Sequence, residues 1–392
     1  MLKAALYDPY LDTLGGGERY CLSVVETLLS SGYSVDIFWS GDSQILTKAK
    51  DRFALDISKA NLVPDIFNEH PHQIECIDNR EGITKVISKK AHPQSIVKKA
   101  QSFINKYQIT KSYDLFFYLS DWSIPFLFSK NNLLHIQVPF IKPSTSKEKL
   151  FNSIKLYFIN KVICNSEFTQ KFAIAKFGSK CHVLYPPVDT QQFDPNSTKE
   201  NIILSVGRFD NLLNSKKQDI LIEAFRKLYE RNKNTGWKLV LAGGSLQLPE
   251  NNSYLLHLQT LANGLPVEFL VNPDFSQIKN IYQSSKIYWH AAGFDVDQEN
   301  HPENTEHFGI APVEAMAAGA VPLVINKGGL NEIVTDGVTG YLWQTIDDLV
   351  SKTQLLIGFP DNWQKLSTSA IQSSTKFSKE SFNINFRQLL NI

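Results

Sequence analysis

The residues best suited to chemistry in this chain lie in one stretch, Glu306-His-Phe-Gly-Ile-Ala-Pro-Val-Glu314-Ala-Met-Ala-Ala-Gly319, with Gly328-Gly329-Leu330-Asn331-Glu332 behind it. Two carboxylates with seven residues between them flank a Phe308-Gly309-Ile310 turn that opens a helix. Glu314 falls just inside that helix, where its oxygens can accept hydrogen bonds from a ribose diol. Glu306 stands ahead of it, where a sugar can donate. The backbone N–H groups between them sit at a helix start and can face phosphate and sugar oxygens. Two solvated glutamates are the alternative, and the apolar residues around Glu314 argue against it.

A second set supplies positive charge. Val206-Gly207-Arg208 is followed, after the insertion Asn211 to Ser215, by Lys216-Lys217-Gln218-Asp219 at the start of a helix. Arginine offers a bidentate fork and lysine a point charge, a pairing that suits a diphosphate. Solvated surface cations are the competing explanation, and either Lys216 or Lys217 can be the one that meets the phosphate.

The third set, Gly15-Gly16-Gly17-Glu18-Arg19, lies between a strand and a helix, where free N–H groups favour an anion. A dinucleotide fingerprint needs a third glycine at position 20, which is Tyr20, so the NAD reading loses its motif. A tight turn without a ligand stays open as the alternative. Asp295-Val296-Asp297 has the form of a metal-binding pair, but stands beside the Glu306/Glu314 pair and reads as a loop. His290, His301 and His307 share a neighbourhood without HxxxH or CxxC spacing, so no metal site is expected. His135, in Leu-His-Ile-Gln-Val-Pro139, follows a strand and is a candidate to line an acceptor site or, equally, a structural histidine.

Positioning these groups takes two cores, which 392 residues with 43% hydrophobic and 11% aromatic content can supply. Short apolar runs alternate with amphipathic segments, the pattern of βα units on parallel sheets. Strands are expected at Ala4 to Tyr7, Ser34 to Trp39, Leu115 to Leu119, Leu133 to Gln137 and Lys161 to Cys164 in a first half. Val183 to Pro187 closes that half, and Asp194 to Asn201 is the linker. A second half has Ile202 to Val206, Lys238 to Ala242, Val267 to Leu270, Ile287 to Trp289 and Val321 to Ile325. Gly15 to Gly17 reads as a turn, Arg19 to Ser31 as a helix, and Lys379 to Leu390 as a last helix with Phe382, Phe386 and Leu389 on one face.

Charge adds one local feature. Forty basic residues balance 39 acidic ones, which excludes a dedicated nucleic-acid binder. From Gly82 to Lys161, however, thirteen lysines meet only Asp114, Asp121 and Glu148, an excess of ten positive charges. Within that segment Ser95 to Tyr107 forms an amphipathic helix, with Ile96, Val97, Ala100, Phe103, Ile104 and Tyr107 opposite Lys98, Lys99 and Lys106. A peripheral contact with an anionic membrane through Lys85 to Lys111 is one expectation, and a solvated basic face the other. Cys21, Cys76, Cys164 and Cys181 are scattered, the N-terminal apolar stretch is too short for a signal peptide, and no apolar run reaches 18 residues. A cytoplasmic location with reduced thiols is expected, with contact at the inner face of a membrane.

Across nearly its whole length the chain resembles the family 4 retaining glycosyltransferases. The resemblance rests on GGGER, NSEFT at Asn165 to Thr169, LYPPVDTQQF at Leu184 to Phe193, SVGR with KKQDILIEAF, VLAGG, and EHFGIAPVEAMAAGAVPLV with GGLNEIVTDGVTGYLW. It implies the GT-B fold: two Rossmann-like domains facing across a cleft, residues 1–194 binding acceptor and 195–375 binding a nucleotide sugar. Residues 376–392 would cross back to the first domain. It further implies catalytic roles for Glu306, Arg208, Lys216 and His135, and donor contacts at Gly16, Gly17, Arg208, Lys216, Lys217, Phe308, Gly309, Ile310 and Glu314. Transfer would be retaining and need no metal, taking a hexose from a nucleotide diphosphate sugar, GDP-mannose favoured, to a saccharide or lipid-linked saccharide. The Lys217 position, glycine in many members, and the Asn211 to Ser215 insertion depart from the pattern. A catalytically idle sugar-nucleotide or glycan-binding scaffold and a storage-glucan synthase are the rivals; the intact Arg208, Glu306 and Glu314 speak against the first.

Overall fold

The strands arise where the sequence is apolar at consecutive positions. Leu-Phe-Phe-Tyr-Leu (115–119) and Val-Pro-Leu-Val-Ile (321–325) are buried at every residue, as parallel strands covered on both faces must be. The computed structural model describes residues 1–67, 96–141, 146–210, 215–231, 236–245 and 249–392. Cys76, Lys85, Lys89, Lys90, Lys142 and the insertion residues 211–214 lie outside them.

Two parallel sheets organise the chain. The first contains β1 (Lys3–Tyr7), β2 (Ser34–Phe38), β3 (Asn61–Val63), β4 (Leu115–Leu119), β5 (Asn131–Ile136), β6 (Lys161–Cys164) and β7 (Cys181–Val183), in the order β3-β2-β1-β4-β5-β6-β7. The second contains β8 (Glu200–Val206), β9 (Lys238–Gly243), β10 (Val267–Val271), β11 (Ser285–His290), β12 (Val321–Ile325) and β13 (Tyr341–Trp343), in the order β10-β9-β8-β11-β12-β13. Each sheet grows one way from its first strand and then the other, so the order reverses between β1 and β4 and between β8 and β11. Loops leaving the strand ends part at such a reversal and leave a crevice for a ligand. Register fixes the second reversal: Ile287 pairs with Ile203 and Tyr288 with Leu204.

Ten of the thirteen strands among the described residues coincide with expected runs to within a residue or two, β7 starts ahead of the expected Val183 to Pro187 stretch, and β3 and β13 were not anticipated. Those two are three-residue edge strands, too short to carry a periodic signal. The glycine turn is shorter than expected. Only Gly15 stays outside the helix Gly16–Ser30, and the Glu18 carboxylate folds back to accept the Gly15 N–H at 2.6 Å. That bond satisfies a donor the helix itself leaves open.

By contact the chain divides into Met1–His135 with Ser144–Val162, and Ile136–Pro143 with Ile163–Ile392. The helix Glu167–Phe177 groups with the later residues, and Glu332 accepts the N–H groups of Glu167 and Phe168, each at 2.7 Å. The C-terminal helix Lys379–Leu390 also belongs to the second unit. It buries Phe382 and Phe386 and is tied to the 188–191 segment by Val188 N–H to Phe377 O and by Gln191 to Glu380. Cys21, Cys164 and Cys181 are buried free thiols.

Candidate active site

In the second sheet, the ends of the two strands that flank the reversal deliver side chains to one carboxylate. Gly207 follows β8 and packs so tightly on Lys216 that a Cβ there would sit 2.5 Å from the lysine Cγ. Glycine therefore lets Lys216 lie along the strand end, with Nζ 2.7 Å from Glu306 Oε2. His290 closes β11 and brings Nε2 to 2.9 Å from the same oxygen. Tyr288 and Val206 line the space beneath it, the Tyr288 hydroxyl 3.5 Å from His290 Nδ1 and 3.4 Å from the Val206 carbonyl.

Electrostatics give these contacts their sign. Burial alone would raise the Glu306 carboxyl, but the Lys216 charge and the His290 hydrogen bond outweigh it and hold the group well below the usual carboxylate range. His290 moves the opposite way to an exposed imidazole beside an acid. Its burial dominates the pull of Glu306 and lowers its pKa, so the ring is neutral and its Nε2–H donates to the carboxylate. His307 is lowered to about 4 by burial, its Nε2 3.1 Å from the Glu303 carbonyl. The arrangement is an ionised acid held by one fixed cation and one neutral donor, with lone pairs left for polyol hydroxyls.

The other expected residues fall around this core in different ways. Arg208 is exposed and its Nε rests 3.1 Å from Asp210, free to swing toward an anion. Lys217 adopts a left-handed backbone, φ 54°, and the structure puts Lys216 rather than Lys217 on Glu306. Gly309 caps the helix Ile310–Ala317 with φ 114°, a conformation that favours glycine. Phe308 is buried against Tyr185 and Phe377, so only its backbone can meet a ligand. Glu314 lies in the fifth position of that helix beside the buried Tyr282, whose phenol is pushed up by burial and by the Glu314 charge. Gly329 N–H holds the Glu306 carbonyl at 2.8 Å, which joins the glycine pair to the carboxylate's backbone.

Asp297 spends its carboxylate on its own loop, accepting from Glu299 N–H and the Asn300 side chain. No group of three or more His, Cys, Asp or Glu among the described residues is arranged to hold a metal. His290 is the member of the site that sequence reasoning missed. Its signal was its place at the end of a strand beside the chain reversal.

In the first unit, Gly16 and Gly17 are the first two residues of their helix. Asp8, the residue after β1, is fully buried near Glu18 and Cys21, with Oδ1 accepting the Tyr10 N–H at 2.9 Å. His135 is wholly buried, its ring stacked 4.1 Å from Tyr20 and tilted 5.4 Å from Phe117.

Comparison with known proteins agrees with this geometry. Residues 188–370 match the sequence profile of the family "Glycosyl transferases group 1". Over 235 residues the chain is 30% identical to a GDP-Man:Man(3)GlcNAc(2)-PP-Dol alpha-1,2-mannosyltransferase of Xenopus laevis, covering 56% of this chain and 45% of that protein. It is 26% identical over 278 residues to the alpha-1,3/1,6-mannosyltransferase ALG2 of Dictyostelium discoideum, covering 62% and 63%. The chain thus spans about half the length of the first curated relatives it matches. Among solved structures it resembles a glycosyltransferase from Rickettsia africae, with TM-score 0.70 at 19% identity over 99% of this chain and 97% of that one. It also resembles Anabaena HepE in complex with UDP-glucose, with TM-score 0.65 at 18% identity over the full length of both. At these identities the likeness concerns the fold, which is GT-B.

Proposed function

We propose that the protein is a retaining glycosyltransferase that moves a hexose, mannose from GDP-mannose foremost, onto a hydroxyl of a saccharide or lipid-linked saccharide at the cytoplasmic face of a membrane. The observation that carries this reading is the Lys216–Glu306–His290 cluster at the β8/β11 reversal, inside the segment that matches the group 1 profile. Relatives named as GDP-mannose-dependent mannosyltransferases support the donor.

The cluster suggests how the donor is received. A diphosphate entering beside Arg208 competes with Glu306 for the Lys216 ammonium. The freed carboxylate oxygen can then accept from the sugar hydroxyls, while the His290 N–H keeps it ionised and aimed. Glu314 takes the ribose diol, and the N–H groups of Gly309 and Ile310 face phosphate oxygens. In the reaction the bond from the anomeric carbon to the diphosphate oxygen breaks and the acceptor oxygen bonds to the same face of that carbon. The acceptor proton passes to the leaving diphosphate. Arg208 and Lys216 meet the charge that grows there, a task for which no divalent ion is needed.

The test is transfer from labelled GDP-, UDP-, ADP- and dTDP-sugars to saccharide and lipid-linked acceptors. GDP-mannose should serve best, and the product should keep the donor's anomeric configuration. Glu306→Gln and Arg208→Ala should each lower turnover on the order of 100-fold; melting should stay unchanged in the exposed Arg208→Ala and fall in Glu306→Gln, which leaves the Lys216 charge without its partner. An inverted product would remove the retaining assignment. Undiminished turnover in both variants would remove the site.

A further inference from the structure

The helix Ser146–Tyr157 turns its apolar face the wrong way for a packed helix. Leu150, Phe151, Ile154 and Tyr157 recur at i, i+1, i+4 and i+7, one side of a 3.6-residue period. These four side chains are 69%, 53%, 51% and 83% exposed. The apolar surface continues sideways: Phe126 lies 5.7 Å from Phe151 and 5.4 Å from Phe103, on the neighbouring helix Ile96–Thr110. There Phe103, Ile104 and Tyr107 are also exposed.

Lysines lie on these rings. Lys155 Nζ stands 4.8 Å from the Phe151 centroid and 5.3 Å from that of Phe126, and Lys111 Nζ is 5.1 Å from Tyr107. Partial burial of the Lys155 ammonium lowers its pKa. Lys111 and Lys147 are exposed. The stretch that contains both helices holds the ten-charge lysine excess of the whole sequence.

We propose that this face docks on an anionic lipid bilayer. Aromatic rings with lysine ammonium groups beside them match the boundary between acyl chains and headgroups, where ring bodies are buried and the flexible lysines turn their charge to phosphate. A second copy of the chain is disfavoured because it would bring two lysine-rich faces together. No helix among the described residues is long and apolar enough to cross a membrane, so the contact is a surface one. The proposed lipid-linked acceptor supplies a purpose for the docking, and only in that respect does the inference rest on the proposed function. Compared with an expected contact through Lys85 to Lys111, the surface shifts toward residues 103–157 and gains an apolar component.

The experiment is co-sedimentation of the full chain with vesicles of phosphatidylcholine alone or mixed with phosphatidylglycerol, at low and high salt. The wild type should sediment with the anionic vesicles in preference, and less so as salt rises. Phe151→Ser with Ile154→Ser, and Lys111→Glu with Lys147→Glu, should each reduce partitioning roughly tenfold or more. All four positions are exposed, so circular dichroism and melting should not change. Equal sedimentation with neutral vesicles, none with either, or wild-type partitioning in both double variants would overturn the proposal. So would a concentration-dependent dimer that Phe151→Ser with Ile154→Ser abolishes, since the face would then belong to a second copy. Sugar transfer to a soluble acceptor, measured in parallel, separates this failure from failure of the proposed function.

Discussion

Asp8 is a buried carboxyl and Glu306 a largely buried one, yet their environments push them in opposite directions. Glu306 has a lysine and a histidine donor on one oxygen. Asp8 has the Tyr10 N–H, the Cys21 thiol and the like charge of Glu18, and burial with that repulsion raises it to about 7 from 3.8. A folded pKa raised above the unfolded one means a stability contribution complete below about 3.8 and lost as pH rises through 7. Asp8→Asn keeps an acceptor for Tyr10 and carries no titrating proton. Its stability should match the wild type near pH 4 and exceed it near pH 8, by on the order of 2–4 kcal/mol. A difference between the two proteins that stays constant across that range in denaturant titrations would sink the assignment. Glu306 and His290 have the reverse sign: both are lowered, so their contributions hold above 4.5 and 6.5 and fade as pH drops. Glu306 and Glu314 were legible because they sit in one dense sequence pattern, and Lys216 because it follows the Val206-Gly207-Arg208 strand end in a second, where Lys217 was the alternative. His290 and Asp8 were not, because their roles depend on which strands become neighbours.

At the scale of elements, most strands could be read from four or five consecutive apolar residues, since burial on both faces removes the need for alternation. The glycine run was misjudged by two residues because Glu18, three positions beyond Gly15, supplies a cap that lets the helix start early. Glu332 was part of the quoted GGLNEIV motif, but nothing local announces its task. It lies 165 residues from the helix Glu167–Phe177 whose first two N–H groups it accepts, while Ser166 caps Thr169 at 3.0 Å. Together these two side chains satisfy three of the four donors that a helix start leaves open. Glu332→Ala would leave two of them partly buried without their acceptor and remove a negative charge from the positive end of the helix dipole. The expected cost is about 1–2 kcal/mol, read as a lower melting temperature, with Glu332→Gln intermediate because its single carbonyl oxygen can still accept. An unchanged melting temperature in Glu332→Ala would show that water replaces the carboxylate without loss.

For the molecule as a whole, the alternation of apolar runs with amphipathic segments foretold two parallel sheets and the chain order of most of their strands. The helix after β6 lies between two strands of the first sheet in sequence yet groups by contact with the later residues, and Glu332, remote in the chain, accepts its first N–H. Net charge was equally uninformative in total and informative in distribution, because a sum near zero conceals a lysine-rich segment beside acidic remainder. The donor prediction belongs at this scale, since a ligand that binds only the folded chain raises the stability of the whole fold. At a hundredfold excess over the dissociation constant that gain is about 2.7 kcal/mol. GDP-mannose should therefore raise the melting temperature, and UDP-glucose less. The proposed charge partners are Arg208 and Lys216, which no chelator removes, so the GDP-mannose shift and the transfer rate should both survive EDTA. Lys216→Ala should diminish the shift even at saturating magnesium, because it deletes a phosphate partner and leaves Glu306 to repel the diphosphate. If EDTA abolished the shift and manganese restored it, the charge of the leaving diphosphate would be carried by a metal. Asp295 and Asp297 would then be the first ligands to replace.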